Sequence, residues 1–415
     1  MRILHVVHQY LPEKVGGTEL YTRTLARHQV SEGHDVSVFY ASQQTNDQDP
    51  LGFREEDGLH IYGVSRGQRT PAQVLKDTFF NGRLEDAFTA VLIREQPDLI
   101  HIQHLMGLPI GLVEHINQAG IPYLITLHDY WYLCANAQLL TNYNNTICPG
   151  PDLWLNCARC ALARAGYNNA VPLTPFIAPI FSYREKRLRR ILQGAQILIT
   201  PTQFTADIYQ KMGLPAAKIQ VVPHGIDVPE KRPAHTRTDS DLHIAYIGGL
   251  SWQKGVHILI DAVNQLPAAG IKLSIIGDTT AFPEYVARLK QQAKHPGISF
   301  NGRMPSSQLW ATLAQIDLVV VPSLWYETAS LIIQEAFAAG VPVAASHIGA
   351  LHERLEDEVD GRFFPAGNSI ALRDILATFL NNRVELEKLR TGIKPVRTMR
   401  EHLQDINFIY TQIRQ

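Results

Sequence analysis

The feature that most constrains this chain is a recurrence of short apolar runs, each followed by a segment with helical spacing. One series begins at Ile3–Val7 and passes a Gly16-Gly17 turn into a helix around Glu19–Ser31. It continues through Val36–Tyr40, Leu99–Ile102, Tyr123–Leu127, Ile197–Thr200 and Ile219–Val222. A second starts at Leu242–Ile247 and runs through Leu273–Ile276, Ile298–Phe300, Leu318–Val321 and Val341–Ala344. Apolar strands alternating with helices predict parallel, doubly wound α/β sheets. Open sheets of this kind take ligands beyond the carboxyl ends of their strands. Residues 227–241, rich in Pro, charge and hydroxyl groups, read as a linker. At 415 residues the chain fits two domains of about 200 residues better than one core. The expected organisation is a first domain over 1–226, the linker, and a second domain over 242–395, the two facing each other across a cleft.

Charge and hydropathy exclude several classes. Lys plus Arg (38) balance Asp plus Glu (39), so no overall field favours nucleic acid. The opening Met-Arg-Ile-Leu-His-Val-Val-His is a short strand, too broken by His for a secretion signal. No apolar stretch approaches the roughly 20 residues that span a bilayer. A cytoplasmic protein is expected.

The motifs sit at turns between strand and helix. Gly16-Gly17-Thr18-Glu19 follows the first strand and opens a helix, where backbone amides can approach an anion. Gly248-Gly249-Leu250-Ser251-Trp252-Gln253-Lys254-Gly255 repeats the arrangement and adds a lysine, a point charge suited to a diphosphate. His128-Asp129 follows a buried strand, which places His128 at a carboxyl end. The adjacent Tyr130, Trp131 and Tyr132 fit sugar stacking and core packing equally. Glu327 and Glu335 lie eight positions apart across a strand-to-helix turn. Between them Thr328, Ala329, Ser330 and Leu331 present amides at the helix start, a diphosphate site by dipole and free N–H groups. A carboxylate on the loop side suits sugar hydroxyls; one further along the helix suits the diol of a ribose.

In this order and spacing, and with Val222-Pro223-His224-Gly225-Ile226-Asp227 before the linker, the chain resembles the retaining glycosyltransferases of family 4 over nearly its whole length. The resemblance implies a GT-B fold of two Rossmann-like domains, with a C-terminal helix at about 396–415 returning to the first. It implies that Gly17 N–H lies against the donor phosphate and that His128 contacts the transferred sugar. Lys254 would neutralise the diphosphate, Glu327 would hold sugar hydroxyls, and Thr328 to Leu331 would present amides. Glu335 would bind ribose, and Gly302-Arg303 would frame the base. Two positions depart from the family pattern. Gly249 stands where an arginine is usual, with Arg303 a substitute charge, and His224 stands for an asparagine at the hinge.

The implied reaction moves a glycosyl group from a nucleoside-diphosphate sugar to a hydroxyl, with retention. The donor expected is UDP-glucose or a related UDP-sugar. The acceptor is a glycan or lipid-linked saccharide of polysaccharide biosynthesis. The departing phosphate takes the acceptor proton, so no side-chain base, metal or other cofactor is required. The alternatives are a non-catalytic nucleotide-sugar-binding relative and a GT-B-type sugar-nucleotide epimerase.

Two features lie outside that scheme. Cys134, Cys148, Cys157 and Cys160 fall in one segment. The Cys157-x2-Cys160 spacing is a half-site for structural zinc; free thiols, disulfides and an iron–sulfur cluster are the alternatives. Arg184, Lys186, Arg187, Arg189 and Arg190 follow the apolar Pro175–Tyr183. They read as a solvated helix face, or as peripheral contact with the inner face of a membrane.

Overall fold

In the computed structural model, which describes residues 1–44, 51–231 and 240–414, the chain divides into two units. Unit 1 is Met1–Pro223 together with the stretch from Met399; unit 2 is His224–Thr398. Residues 232–239 of the expected linker lie outside the described residues.

Unit 1 is built on an eight-stranded sheet. Its strands are β1 (Arg2–Val7), β2 (Asp35–Ser42), β3 (Leu51–Glu56), β4 (Leu59–Ser65), β5 (Leu99–Ile102), β6 (Tyr123–Thr126), β7 (Leu198–Thr200) and β8 (Ile219–Val221). They lie in the order β3-β4-β2-β1-β5-β6-β7-β8. Ile3 of β1 stands opposite Val36 of β2 on one side and Leu99 of β5 on the other, both pairings parallel. Only β3 runs antiparallel, joined to β4 through Asp57-Gly58 with positive φ at both residues. Asp-Gly with both residues left-handed is the two-residue hairpin turn that matches strand twist. This hairpin is absent from the strand series read in the sequence. The charged Phe53-Arg54-Glu55-Glu56, alternately exposed and half-buried, carries no apolar run, because an edge strand has one face in water.

The C-terminal helix Met399–Arg414 belongs to unit 1. Its Met399, Leu403, Ile406, Ile409 and Tyr410 pack with Ile3, Tyr21, Leu25, Leu99 and Leu124 in one buried cluster.

Unit 2 has a six-stranded parallel sheet. Its strands are β9 (Leu242–Ile247), β10 (Ile271–Ile276), β11 (Ile298–Gly302), β12 (Leu318–Val321), β13 (Val343–Ser346) and β14 (Gly361–Phe364), in the order β11-β10-β9-β12-β13-β14. The alternation along single strands shows why the sequence has no polar period. Leu242, Ile244 and Tyr246 of β9 join the core on one face while Ala245 joins the core on the other. Leu318 and Val320 of β12 divide from Val319 and Val321 in the same way. Both faces are buried, so nearly every position is apolar, the partly exposed His243 of β9 being the exception. Within unit 2, Ile226 bridges Thr398, with Ile226 N–H donating to the Arg397 carbonyl at 3.2 Å.

Among the described residues no helix is long and apolar enough to cross a membrane.

Candidate active site

Each sheet has one place where strand order reverses, and loops leaving the two strands there open a crevice. In unit 2 the reversal falls between β9 and β12. The loop after β9 carries Gly248 to Gly255; the loop after β12 carries Pro322 to Ser330.

These two loops are fastened together. Leu324 N–H donates to the Gln253 carbonyl at 2.8 Å. Gly255 has φ +70°, and a Cβ there would overlap the Pro322 carbonyl oxygen. Only glycine permits that approach. Gly255 then starts the helix Val256–Asn264, and the residue before it, Lys254, is delivered to Glu327. Glu327 is buried, at 6% exposure, and its Oε1 accepts three donors. They are Lys254 Nζ at 2.7 Å, Ser323 Oγ at 2.6 Å and Trp325 Nε1 at 2.9 Å. The ammonium also lies 5.2 Å from the Trp325 ring centroid, a cation–π distance. Donors loaded on one oxygen fix the carboxylate plane, so the group is rigid before any ligand arrives.

The helix Leu331–Ala338 begins just beyond. Ser330 caps it in the left-handed region at φ +50°, ψ +67°, a conformation a serine holds only where its surroundings impose it. The first hydrogen bond across the cap is Ile333 N–H to the Ser330 carbonyl at 3.1 Å. The amides of Leu331 and Ile332 precede it at the positive end of the helix. Thr328 is buried; Ala329, Ser330 and Leu331 are partly exposed. Glu335 sits in the second turn, between the buried Gln334 and Ala336. It has no hydrogen-bond or ion-pair partner among the described residues, and burial pushes its carboxyl up to about 7. Gln334 Nε2 donates to the His224 carbonyl at 3.1 Å, tying the start of unit 2 to this helix. Gly249 is exposed, and a Cβ there meets nothing within 4 Å. Gly302 ends β11 at φ +68°, its carbonyl accepting from Gly277 N–H at 2.9 Å, and Arg303 is exposed.

In unit 1 the reversal falls between β1 and β5. Gly17 starts the helix Gly17–Ser31; it is exposed, and no atom lies within 4 Å of the Cβ it lacks. Glu19 turns back beneath the loop, buried. It accepts from Gln9 Nε2 at 2.9 Å and lies 3.5 Å from His8 Nε2. His8 is buried, and its desolvation, with His104 beside it, holds the imidazole well below its usual range.

His128 follows β6 and is partly exposed. Burial lowers its imidazole to about 3, His104 contributing the same way and Asp129 opposing. Nε2 of His128 meets Gln103 Oε1 at 2.8 Å, and Gln103 Nε2 donates to His5 Nδ1 at 3.1 Å. His5 Nε2 then donates to Gln29 Oε1 at 2.7 Å, and Gln29 Nε2 to Tyr410 Oη at 3.1 Å. An amide oxygen accepts and an amide nitrogen donates, so each link sets the next. His128 is held neutral with its proton on Nε2, and the bonds run through Tyr410 of the C-terminal helix back to His101 Nδ1 at 2.7 Å and from His101 Nε2 to Thr126 Oγ1 at 2.7 Å. Asp129 accepts from His104 Nε2 at 3.1 Å and from Trp131 N–H at 2.8 Å. Tyr130, Trp131 and Tyr132 are all buried. Their burial is that of core residues, with Trp131 also lining the cavity that the four cysteines share.

The four cysteines line one cavity of unit 1 with a volume of about 520 Å³. Among the described residues no three His, Cys, Asp or Glu side chains stand together in a way that would hold a metal ion. The thiols hold separate local bonds instead: Asn142 N–H to Cys160 Sγ at 3.4 Å, Asn156 Nδ2 to Cys148 Sγ at 3.7 Å, and Cys148 Sγ to the Gly150 carbonyl at 3.5 Å. Burial pushes Cys157 up to about 12 and Cys160 up to about 11, with neighbouring thiols adding to both shifts. All four are free. The four thiols share the wall of that one cavity.

The basic segment also divides. Arg184 is buried, donating to the Trp131 carbonyl at 2.7 Å. Arg189 binds the carbonyls of Met212 and Gly213 at 2.7 and 2.9 Å. These two brace the fold, so the five residues are not one solvated face.

Two doubly wound units, each with polar groups gathered where strand order reverses, define a glycosyltransferase of GT-B fold. Residues 15–230 match the family description Glycosyltransferase Family 4, and residues 227–394 match Glycosyl transferases group 1. The chain belongs to glycosyltransferase family 4. It is 30% identical over 409 residues to a glycogen synthase of Mycobacterium tuberculosis, covering 97% of this chain and 90% of that one. It is 22% identical over 377 residues to an uncharacterized glycosyltransferase of Methanocaldococcus jannaschii, covering 87% and 84%. Among solved structures it resembles HepE of Anabaena in complex with UDP and glucose, at 18% identity, 99% of each chain and a TM-score of 0.69. It also resembles sucrose-phosphate synthase of Thermosynechococcus elongatus, at 17% identity, 99% and 98% coverage and a TM-score of 0.73.

Proposed function

We propose that this chain transfers a sugar from a UDP-sugar to a hydroxyl of a glycan or lipid-linked acceptor, with retention at the anomeric carbon and without a catalytic metal. The observation that carries the reading is the Lys254–Glu327 pair where strand order reverses in unit 2. The UDP and UDP-glucose bound by HepE favour that base and sugar class.

In this reading the leaving diphosphate spreads its charge over Lys254 Nζ and the amides of Ala329 to Leu331, in place of a divalent ion. Glu327 accepts from sugar hydroxyls while Ser323 and Trp325 hold its plane. Glu335 accepts from the ribose diol. Gly17 presents its amide to the donor phosphate, and neutral His128 meets the transferred sugar without adding charge. The base lies against the Gly302-Arg303 backbone. No carboxylate need act as a base, because the departing phosphate takes the acceptor proton.

Turnover of UDP-glucose, with the anomeric configuration of the product read by proton NMR, tests the proposal. Glu327→Gln should lower turnover by roughly tenfold to a hundredfold, the cost of about 1.5–3 kcal/mol for a hydrogen bond to a charged group. Inversion in the product, or near-normal turnover by that variant, would overturn it.

A further inference from the structure

The helix Thr174–Gly194 of unit 1 has an unusual outer face. Its inner residues Ala178, Phe181, Leu188 and Leu192 are buried. The outer face of its first half carries Phe176, Ile180 and Tyr183 at i, i+4 and i+7, with Phe176 80% exposed. The same face then turns basic with Lys186, Arg187 and Arg190. The apolar surface continues upstream: Leu153 is 73% and Tyr167 65% exposed, and Val171 and Leu173 are exposed in the turn leading into the helix. Among the described residues, eight of the seventeen exposed large hydrophobics fall between Leu153 and Tyr183. Singly scattered apolar residues need no explanation, but a concentration of this kind marks a contact surface.

The segment is one body. Ala158 and Cys157 of the helix Leu155–Arg164 pack with Ala178 and Phe181, and Trp154 Nε1 donates to Glu185 Oε2 at 2.7 Å. Charge selects what it touches. From Leu153 to Arg190 there are seven basic residues and one acidic, Glu185, in a chain whose net charge is −1. With Arg184 buried, Arg189 held by carbonyls and Arg187 paired with Glu114, the exposed basic residues that remain are Arg159, Arg164, Lys186 and Arg190. Glu185 is already engaged by Trp154 and Arg189. Aromatic and aliphatic side chains at one end of an exposed helix face, with Lys and Arg at the other, match the acyl boundary and the headgroup layer of a bilayer. The other side of the same helix walls the 520 Å³ cavity through Ile177 and Phe181, with His8 and Arg66 across it.

We infer that the face formed by Leu153–Leu155 and the outer side of Thr174–Arg190 docks unit 1 on an anionic lipid surface. Phe176 and Ile180 enter the acyl boundary, while Lys186 and Arg190 meet the headgroups. Docking stands whether or not UDP-glucose is the donor, so vesicle binding and turnover are read separately.

Co-sedimentation of the full chain with phosphatidylcholine vesicles, with and without phosphatidylglycerol, tests this. Retention is expected on the anionic vesicles only and should fall as salt rises. Lys186→Gln and Arg190→Gln should each weaken it about fivefold. Phe176→Ser with Ile180→Ser should weaken it more than tenfold, with the circular dichroism spectrum unchanged because both side chains lie outside the core. Failure of the unaltered chain to bind anionic vesicles would overturn the inference, as would full binding by the Phe176/Ile180 variant. Concentration-dependent dimers that this variant abolishes, without vesicle binding, would assign the face to a second copy instead.

Discussion

Glu335→Gln should make unit 2 more stable and a poorer donor site at once. The folded carboxyl titrates at about 7, raised by burial from 4.5. Between those values the folded chain keeps a proton that the unfolded chain has released. Its contribution to stability is therefore complete below about 4.5 and is lost as pH rises through about 7. The shift corresponds to about 3 kcal/mol at pH 8. Glu335 is partly exposed, and solvent screening brings the expectation to about 1–3 kcal/mol. Glutamine carries no charge at any pH and removes the penalty. For a unit of this size that is a rise in melting midpoint of roughly 2–10 °C at pH 8, falling to about a quarter of that at pH 5 and vanishing only below about pH 4. Affinity for UDP-glucose should move the opposite way, weaker by roughly tenfold to a hundredfold at pH 8, where a carboxylate hydrogen bond is lost. In the unaltered protein that affinity should itself decline below pH 7 as Glu335 protonates. Thermal melts at pH 5 and 8, with calorimetric titration of UDP-glucose, read both effects. A variant no more stable than the parent at pH 8 would refute the argument from burial, and unchanged affinity would refute the ribose contact.

Lys254→Ala should weaken UDP far more than uridine, because its ammonium addresses the diphosphate; equal losses by calorimetry would contradict that. It should also lower the melting midpoint of unit 2, since it strips Glu327 of one of its three donors. Gly249→Arg should fold with an unchanged midpoint, because nothing lies within 4 Å of the added Cβ; a loss of several degrees would show an obstacle. Cys157 and Cys160, protonated well past neutral pH, should react with a disulfide reagent at pH 7 at least a hundredfold more slowly than an ordinary thiol of about 8.5. All four should titrate once the chain is unfolded; about one equivalent of zinc by elemental analysis would overturn this description.

The two parallel sheets were legible because β1, β6, β9 and β12 are buried on both faces, which leaves runs that are mostly apolar, even with His5 in β1 and His243 in β9. The β3–β4 hairpin and β14 were not. β3 is an exposed edge, and Gly361-Arg362-Phe363-Phe364 is too short and too mixed to announce a strand. At the site, Glu327, Lys254, His128 and the glycine turns were visible as types at strand ends. That Lys254 rests on Glu327 was not, because the bond spans 73 positions and depends on the close approach of Gly255 to Pro322. Ser323 and Trp325 carried no signal of their own. Gln103, His5 and Gln29 carried none either: a buried amide inside an apolar run looks like noise until its partners are known.

The helix Met399–Arg414 bears on how the molecule is made. Unit 1 is encoded first, but Leu403, Ile406, Ile409 and Tyr410 belong to its core, and Tyr410 closes the bonds that orient His128. A chain emerging from the ribosome presents β1, β5 and β6 long before that helix exists, and all of unit 2 is synthesised in between. Unit 2 can complete its own core as soon as Thr398 has emerged. The usual order, N-terminal domain first, is thus reversed for the final packing step. Until residues 399–414 have emerged, Ile3, Leu99 and Leu124 lack the surface that covers them, and in that interval the nascent chain is open to chaperones and to aggregation.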